Sequence, residues 1–137
     1  MPLITFEELI VVLQLKDELE HEQQNLLELE AIATSTTQKL TGMPLAAHLQ
    51  NSKTEQNVLL LTECKQRIMT LAANLKSQKF ELWKKIKAQH LERKKERLLC
   101  LRYVNCQPFD EIAREMSFSK KYVGKIHKWA LQSLGID

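Results

Sequence analysis

Two long stretches of the chain carry apolar residues alternately three and four positions apart, the spacing of one face of a helix. The first stretch begins at Thr5, which has capping-box spacing to Glu8 and therefore predicts a helix start. Its stripe consists of Val12, Leu15, Leu19, Glu22, Leu26, Leu29 and Ala33, in which only Glu22 is polar. A seam of about three heptads suits either an intramolecular hairpin or a dimer, and the pattern does not choose between them.

The second stretch predicts a long helix from about residue 53 to residue 88, and Ser52 and Glu55 again have capping-box spacing. Its stripe consists of Val58, Leu61, Lys65, Ile68, Ala72, Leu75, Lys79, Leu82 and Ile86. The apolar residues expected to widen it are Leu59, Leu60, Leu71 and Trp83. We therefore expect an all-α fold that starts with a long antiparallel, coiled-coil-like hairpin, with Leu19 and Ile68 in its core.

Between the two stretches the helical pattern stops. Ser35, Thr36 and Thr37 are poor helix formers in series, and the segment 42–44, Gly-Met-Pro, excludes a continuous helix. The sequence thus predicts a loop over residues 34–51 that lets the chain reverse direction.

A third helix is expected from about Glu92 to Val104. The register of the apolar positions changes at residues 89–92, but no breaker marks that junction, so one continuous helix from 53 to 104 stays an alternative. Asn105 is predicted to be the left-handed residue that ends the helix, and Pro108 to open the next one.

The segment from Gln107 to Gly135 predicts a helix-turn-helix. Ala113 is the small residue that two crossing helices need at their contact, and Ser119 is a suitable N-cap for the second helix. Gly135 predicts its end. Its apolar stripe consists of Val123, Ile126, Ala130 and Leu134. Ser117 occupies the turn position where glycine is usual and where a positive φ is often needed.

The opposite face of this second helix is basic. Lys121, Lys125 and Lys128 lie about 200° around the helix from the apolar stripe. No acidic residue occurs between Glu115 and Asp137, whereas a surface helix stabilised by its own ion pairs would mix signs. A recognition helix in a DNA groove explains this pattern, and the plainer alternative is a solvated basic helix in an ordinary bundle.

The net charge of +3 hides an asymmetry between the two halves of the chain. Residues 1–51 sum to −6, and residues 52–137 sum to +9. A basic back half indicates nucleic acid as its partner, while the acidic front half is expected to stay away from DNA.

Three segments together resemble the last region of bacterial sigma factors, which reads the −35 promoter element. They are residues 108–113 (Pro-Phe-Asp-Glu-Ile-Ala), residues 118–127 (Phe-Ser-Lys-Lys-Tyr-Val-Gly-Lys-Ile-His), and Ala130, Leu131 and Leu134. Residues 99–103 resemble the helix that precedes this motif. With Thr-Gly-Met-Pro at 41–44, the whole chain resembles the small phage transcriptional activators of the RinA and ArpU type. Ser117 and the lysine-rich helix depart from sigma factors, so the target sequence is not carried over.

The predicted DNA-binding residues lie on the second helix and on a basic cluster before the motif. They are Ser119, Lys120, Lys121, Tyr122, Gly124, Lys125, His127, Lys128, Arg93, Lys94, Lys95 and Arg97. Lys120, Lys121 and Lys125 are expected nearest the base edges in the major groove, with some guanine in the target. Tyr122, Lys128 and the Arg93–Arg97 cluster are expected on phosphates.

Catalytic and metal-binding patterns are missing from the sequence. It has no phosphate-binding glycine motif, no metal-spaced cluster and only scattered histidines, so we expect no enzyme, metal or cofactor. Cys64, Cys100 and Cys106 are odd in number and unpaired in pattern, as in a reduced cytosolic protein. The start has no signal-like basic segment, and the longest apolar run, Leu9–Leu13, is too short to span a bilayer.

We therefore expect two regions: residues 1–90, a helical hairpin for oligomerisation with the loop 34–51, and residues 91–137, a DNA-binding helix-turn-helix. The expected function is a sequence-specific transcriptional regulator, a phage-encoded activator in the cytoplasm of the host cell. Its expected partners are double-stranded DNA, with host RNA polymerase and a second copy as further candidates, and no membrane. The alternatives are a DNA-packaging recognition subunit resembling a small terminase, and a scaffolding bundle without DNA affinity.

Overall fold

A computed structural model describes residues 4–39 and 44–136, with side chains over residues 4–33 and 55–136. Within these ranges the chain forms helices and no strand, which confirms the all-α prediction. The helices are α1 (Phe6–Lys39), α2 (Pro44–Ala88), α3 (Arg93–Leu99), α4 (Phe109–Met116) and α5 (Lys120–Ser133). A π-helical turn, Cys100–Val104, continues α3. None of the described helices combines the length and apolar character needed to cross a membrane.

The first two helices pack against each other as the predicted hairpin, which α3, α4 and α5 follow. Two compact units divide the chain: residues 17–73 form one, and the rest of the described chain forms the other. The second unit joins the start of α1 and the end of α2 to the helix-turn-helix. The boundary predicted at residues 90 and 91 falls inside this second unit.

The start of α1 follows the predicted cap. The Glu8 backbone N–H donates to Thr5 Oγ1 over 3.2 Å, and the Thr5 hydroxyl donates to Glu8 Oε1 over 3.3 Å. The Glu8 carboxylate also accepts from Lys85 Nζ at 2.7 Å, a hydrogen bond that lowers its pKa below the ordinary value. This contact ties the first turn of α1 to the end of α2.

The predicted stripe of α2 is half right. Leu61, Ile68, Leu75, Leu82 and Ile86 are buried or partly buried, but the residues predicted between them are not all inside. Val58, Lys65 and Ala72 are exposed, whereas Cys64 is fully buried and Leu71 partly buried. The predicted and the observed stripes both have three-and-four spacing and share Leu61, Ile68 and Leu75. Between these residues the observed stripe has Cys64 and Leu71 where the predicted one has Lys65 and Ala72. Packing selects the stripe that keeps Lys65 in water.

The widening of this seam was predicted wrongly for three residues. Leu59, Leu60 and Trp83 are 58%, 48% and 44% exposed. Leu19 and Ile68, predicted as core, are only partly buried. Within residues 17–73 only two helices contribute, and two cylinders cover no more than one strip of each other's surface. The polar Glu22 in the stripe of α1 is met by Arg67, whose Nε lies 3.3 Å from its carboxylate.

The loop predicted over residues 34–51 is wrong for most of its length. Helix α1 continues to Lys39 and α2 begins at Pro44, so Ser52 does not cap α2. Serine and threonine cost a helix only tenths of a kcal/mol each, about 0.5 kcal/mol relative to alanine. Proline at the first helical position removes no hydrogen bond and presets φ. Residues 40–43 of the predicted loop lie outside the described residues.

A break separates α2 from α3, so the alternative of one continuous helix is excluded. His90 has a left-handed φ of 51°, and α3 starts after Glu92 as predicted. The predicted end at Val104 is confirmed, but the left-handed conformation predicted for Asn105 is wrong: Asn105 has a φ of −88°, and Cys106 is the left-handed residue, with φ 58°. The π-helical turn adds one residue between hydrogen-bonded groups, and the left-handed residue correspondingly lies one position farther along the chain than predicted.

Candidate nucleic-acid interface

The turn between α4 and α5 has the backbone that the helix-turn-helix prediction requires. Ser117 has φ 59° and ψ 39°. The Ser117 N–H donates to the Arg114 carbonyl at 3.3 Å, and the Phe118 N–H donates to the Ala113 carbonyl at 3.0 Å. These two hydrogen bonds form a Schellman cap, which satisfies carbonyls at the end of α4. The expected positive φ is confirmed, and a serine carries it at a cost of about 1–2 kcal/mol.

Both predicted ends of α5 are confirmed. Ser119 is extended, and its Oγ accepts from the Tyr122 backbone N–H at 3.1 Å. At the other end Gly135 has φ 79° and donates to the Gln132 carbonyl at 3.0 Å. The Ile136 N–H donates to the Leu131 carbonyl at 2.9 Å, which completes a second Schellman cap.

One apolar core holds α3, α4 and α5 together. Its buried members are Leu98, Leu101, Ile112, Ala113, Val123 and Ile126. Ala130 and Leu134 are also buried, so the whole predicted apolar stripe of α5 lies inside. The helix-turn-helix is therefore positioned by burial of apolar side chains, and its charged face has no share in this core.

The basic face of α5 points to solvent. Lys121, Lys125 and Lys128 are all exposed. Gly124 lies among them, and no atom stands within 4 Å of the place that a Cβ would occupy. Packing inside the chain thus gives no reason for this glycine. The three lysines attract a polyanion, and the missing side chain at Gly124 lets it come close to the helix backbone.

Lys120, at the tip of α5, has a partner that the sequence did not indicate. Its Nζ lies 2.9 Å from Oδ1 of Asp110, in the first turn of α4. Both side chains are well exposed, at 71% and 66%. The hydrogen bond from Lys120 lowers the pKa of Asp110 below its ordinary value, so the carboxylate is ionised at neutral pH. Lys120 is therefore already paired in the free protein.

Two lysines of the basic cluster on α3 hold α3 against α5. Lys94 Nζ lies 3.4 Å from the Tyr122 hydroxyl and stands over the rings of Phe118 and Tyr122, at 5.6 and 5.7 Å. Lys95 Nζ donates to Ser133 Oγ at 3.0 Å. These contacts place both predicted phosphate-binding lysines beside α5.

The two arginines of the cluster, Arg93 and Arg97, are exposed. Together with Lys94 they line a groove between α3 and the end of α4. Its other lining residues are Glu92, Glu115, Met116 and Phe118. The charge of this groove is mixed, in contrast to the uniformly basic charge on α5.

An aromatic row runs beside the basic face of α5. The Tyr122 ring meets Phe118 edge-on at 4.9 Å and Trp129 edge-on at 6.3 Å. Trp129 is 44% exposed and was missed by the sequence analysis. The sequence does contain a signal for Trp129: it follows Tyr122 by seven residues, so both lie on the same side of the helix, between the apolar and the basic stripes.

His127 lies away from the lysines, although the sequence placed it among the DNA contacts. Its Nε2 is 2.6 Å from the Tyr103 hydroxyl, and its ring meets Phe109 edge-on at 5.1 Å. Burial lowers the pKa of His127, and the charge of Arg102 adds to the effect. Residue 127 is turned by about 200° from Lys125 around the helix, which directs it toward the π-helical turn.

None of the three cysteines forms a disulfide; Cys64 and Cys106 are buried, and Cys100 is partly buried. Burial raises the pKa of the Cys100 thiol, which disfavours the reactive thiolate. Among the described residues, no group of three or more His, Cys, Asp or Glu side chains is arranged to hold a metal ion.

Comparison with known proteins gave no relative. No protein-family model matches the chain, and neither a curated protein nor a solved structure matches it. The resemblance to sigma factors and phage activators therefore depends on the residues quoted above.

Proposed function

We propose that this chain is a sequence-specific DNA-binding transcriptional regulator that inserts α5 into the major groove. The observation that carries the proposal is the division of α5 into two faces. Val123, Ile126 and Ala130 are buried against α3 and α4, while Lys121 and Lys125 stand exposed on the other side. A helix with one face anchored and the other uniformly basic has the form of a recognition helix.

The roles of the contact residues follow from their positions. Lys121 and Lys125 lie in the first turns of α5 and are proposed to reach base edges, where lysine donates to guanine O6 and N7. Lys128 lies farther along and is proposed to bind a phosphate. Arg93 and Arg97, exposed on α3, are proposed as further phosphate contacts that set the orientation of the protein.

Lys94 and Lys95 are assigned a supporting role in this proposal. Each is held by a side chain on α5, Tyr122 or Ser133. Movement toward a phosphate would break those contacts. We propose that they fix the angle between α3 and α5, and thus the position of Arg93 and Arg97 relative to the groove.

A second copy of the chain is the proposed partner of residues 17–73. Leu26, Leu29, Leu61 and Ile68 are only partly buried there, and Leu27 beside them is 59% exposed. A hairpin that pairs with a second hairpin would cover this apolar surface. A dimer would also present two recognition helices to two half-sites. Activation through host RNA polymerase is proposed only from the resemblance to phage activators.

The test is a selection of duplexes from a random library, followed by gel shift at low salt. We expect one enriched sequence, and we expect Lys121→Ala and Lys125→Ala to lose more affinity for it than for unrelated DNA. Lys65→Ala is the matched control, because Lys65 is an exposed lysine on α2. Absence of any DNA binding at low salt would overturn the proposal and favour a scaffolding bundle.

A further inference from the structure

A negatively charged side chain of α4, Asp110, lies at the tip of α5, beside a face whose charged side chains are all lysines. Asp110 Oδ1 lies 2.9 Å from Lys120 Nζ, and the pair bridges the first turns of α4 and α5. Its partner Lys120 directly precedes Lys121 on the helix. If α5 enters a groove tip first, this pair meets DNA together with Lys121.

The pair contributes little to holding the two helices together. Water and salt screen an ion pair between exposed side chains, and both side chains here are more than half exposed. The helices are already joined through the buried side chains of Ile112, Ala113, Val123 and Ile126. A stabilising role is therefore a poor explanation for a carboxylate at this position.

We propose that Asp110 is a specificity-determining residue that keeps Lys120 from binding DNA phosphates indiscriminately. This inference rests on the proposed function. A phosphate that approaches Lys120 must displace a carboxylate at 2.9 Å and is repelled by it. A guanine edge presents neutral acceptors, O6 and N7, and meets no such repulsion between full charges. The pair thus lowers the affinity for the DNA backbone more than the affinity for bases.

The experiment compares the full-length wild-type chain with Asp110→Asn on a mixed-sequence duplex, over a range of salt concentrations. We expect Asp110→Asn to bind this DNA about two- to five-fold more tightly, the range that measured exposed ion pairs span. We also expect a log–log salt slope that is steeper by up to about 0.9, as for one added phosphate contact. Equal affinities and equal slopes would overturn the proposal.

Glu111→Gln is the matched control, because it removes the same charge from the next residue, which is also exposed. We expect a smaller gain from it than from Asp110→Asn. Asp110→Ser should reproduce the gain with a residue suited to the start of a helix. Equal gains from Glu111→Gln and Asp110→Asn would mean that net charge alone is responsible, and the proposal would fail.

Lys120→Ala separates a local effect from a long-range one. In the Asp110→Asn background, Lys120→Ala should remove the gain, because the freed lysine is its source. A gain that persists without Lys120 would overturn the proposed role of the pair. Wild-type protein that binds no duplex at low salt would instead contradict the proposed function, so the two failures are distinguishable.

Discussion

Single residues decide where α4 and α5 start and stop. Ser119 and Gly135 were predictable because capping depends on the backbone within a few residues, which the local sequence specifies. The Asp110–Lys120 pair and the contact between His127 and Tyr103 were not predictable. They depend on the angle between packed helices, and a single sequence does not reveal that angle.

The left-handed conformation of Ser117 predicts that the same substitution, Ser to Gly, stabilises at this position and destabilises in a helix interior. Ser117→Gly should stabilise the fold by about 1 kcal/mol, because glycine adopts the left-handed φ of 59° without steric cost. The control Ser77→Gly, in the interior of α2, should destabilise by about 0.5 kcal/mol, since glycine is a poorer helix former. Urea unfolding measures both. Loss of stability in both variants would mean that Ser117 is not in the left-handed conformation.

His127 predicts a pH dependence of stability. Burial lowers its pKa in the folded state below the ordinary 6.5, so between these two pKa values the unfolded chain binds more protons. Stability should therefore be fully present above pH 6.5 and decrease as the pH falls through that window. His127→Asn should flatten the decrease, because it removes the imidazole that takes up the proton. Unfolding free energies across this pH range check the prediction.

At the scale of the elements, periodicity predicted the number and order of the helices but not all of their ends. Residues 34–39 are helical although four of them are Ser or Thr, because local propensity is weak against continuation of a long helix. The choice between two stripes on α2 was also beyond the sequence pattern. Both stripes have helical spacing, and only the partner helix distinguishes Cys64 from Lys65.

The observed face of α2 predicts different costs for two identical substitutions. Leu71→Ala should cost about 1–2 kcal/mol, below the roughly 2–5 kcal/mol of fully buried leucines, since Leu71 is partly buried. Leu59→Ala, at a residue 58% exposed, should stay within about 0.5 kcal/mol. Chemical denaturation at fixed protein concentration compares the two. The reverse order of costs would place Leu59 on the packed face and contradict the fold.

The contact between α3 and α5 has its own test. Lys94→Ala removes a cation from above two rings and should lower stability by about 0.5–1 kcal/mol. Lys121→Ala, on the exposed face of α5, should leave stability within about 0.5 kcal/mol. Thermal unfolding of the two variants provides the measurement. If Lys94→Ala proves as neutral as Lys121→Ala, Lys94 does not fix the angle between the helices.

At the scale of the whole molecule, the charge asymmetry is the main constraint on function. The chain is acidic over residues 1–51 and basic over residues 52–137. A polyanion is attracted to the second part and repelled by the first. The direction of this effect was evident from the sequence alone, whereas the assignment of contacts within the basic part required the exposed and buried sides of α5.

The proposed second copy predicts the mass in solution. Light scattering of the full chain should give the mass of a dimer, because a second hairpin would remove the partly buried leucines of the first from water. A large ring would contradict the regulator and favour the packaging alternative. A monomer at all concentrations would mean that no second copy covers the apolar surface of residues 17–73, and it would contradict dimerisation through the hairpin.

The most direct test of DNA recognition by α5 is a salt titration of DNA binding. The double variant Lys121→Ala/Lys125→Ala is compared with Lys65→Ala/Lys76→Ala, which removes two exposed lysines from α2. We expect weaker binding by the first variant, mainly to the selected sequence, and wild-type affinity and salt slope for the second. Each phosphate contact steepens the log–log plot of affinity against salt by about 0.9. The change in slope therefore also shows whether Lys121 and Lys125 contact phosphates. Equal losses in both variants, or none in the first, would show that the basic face of α5 does not bind DNA.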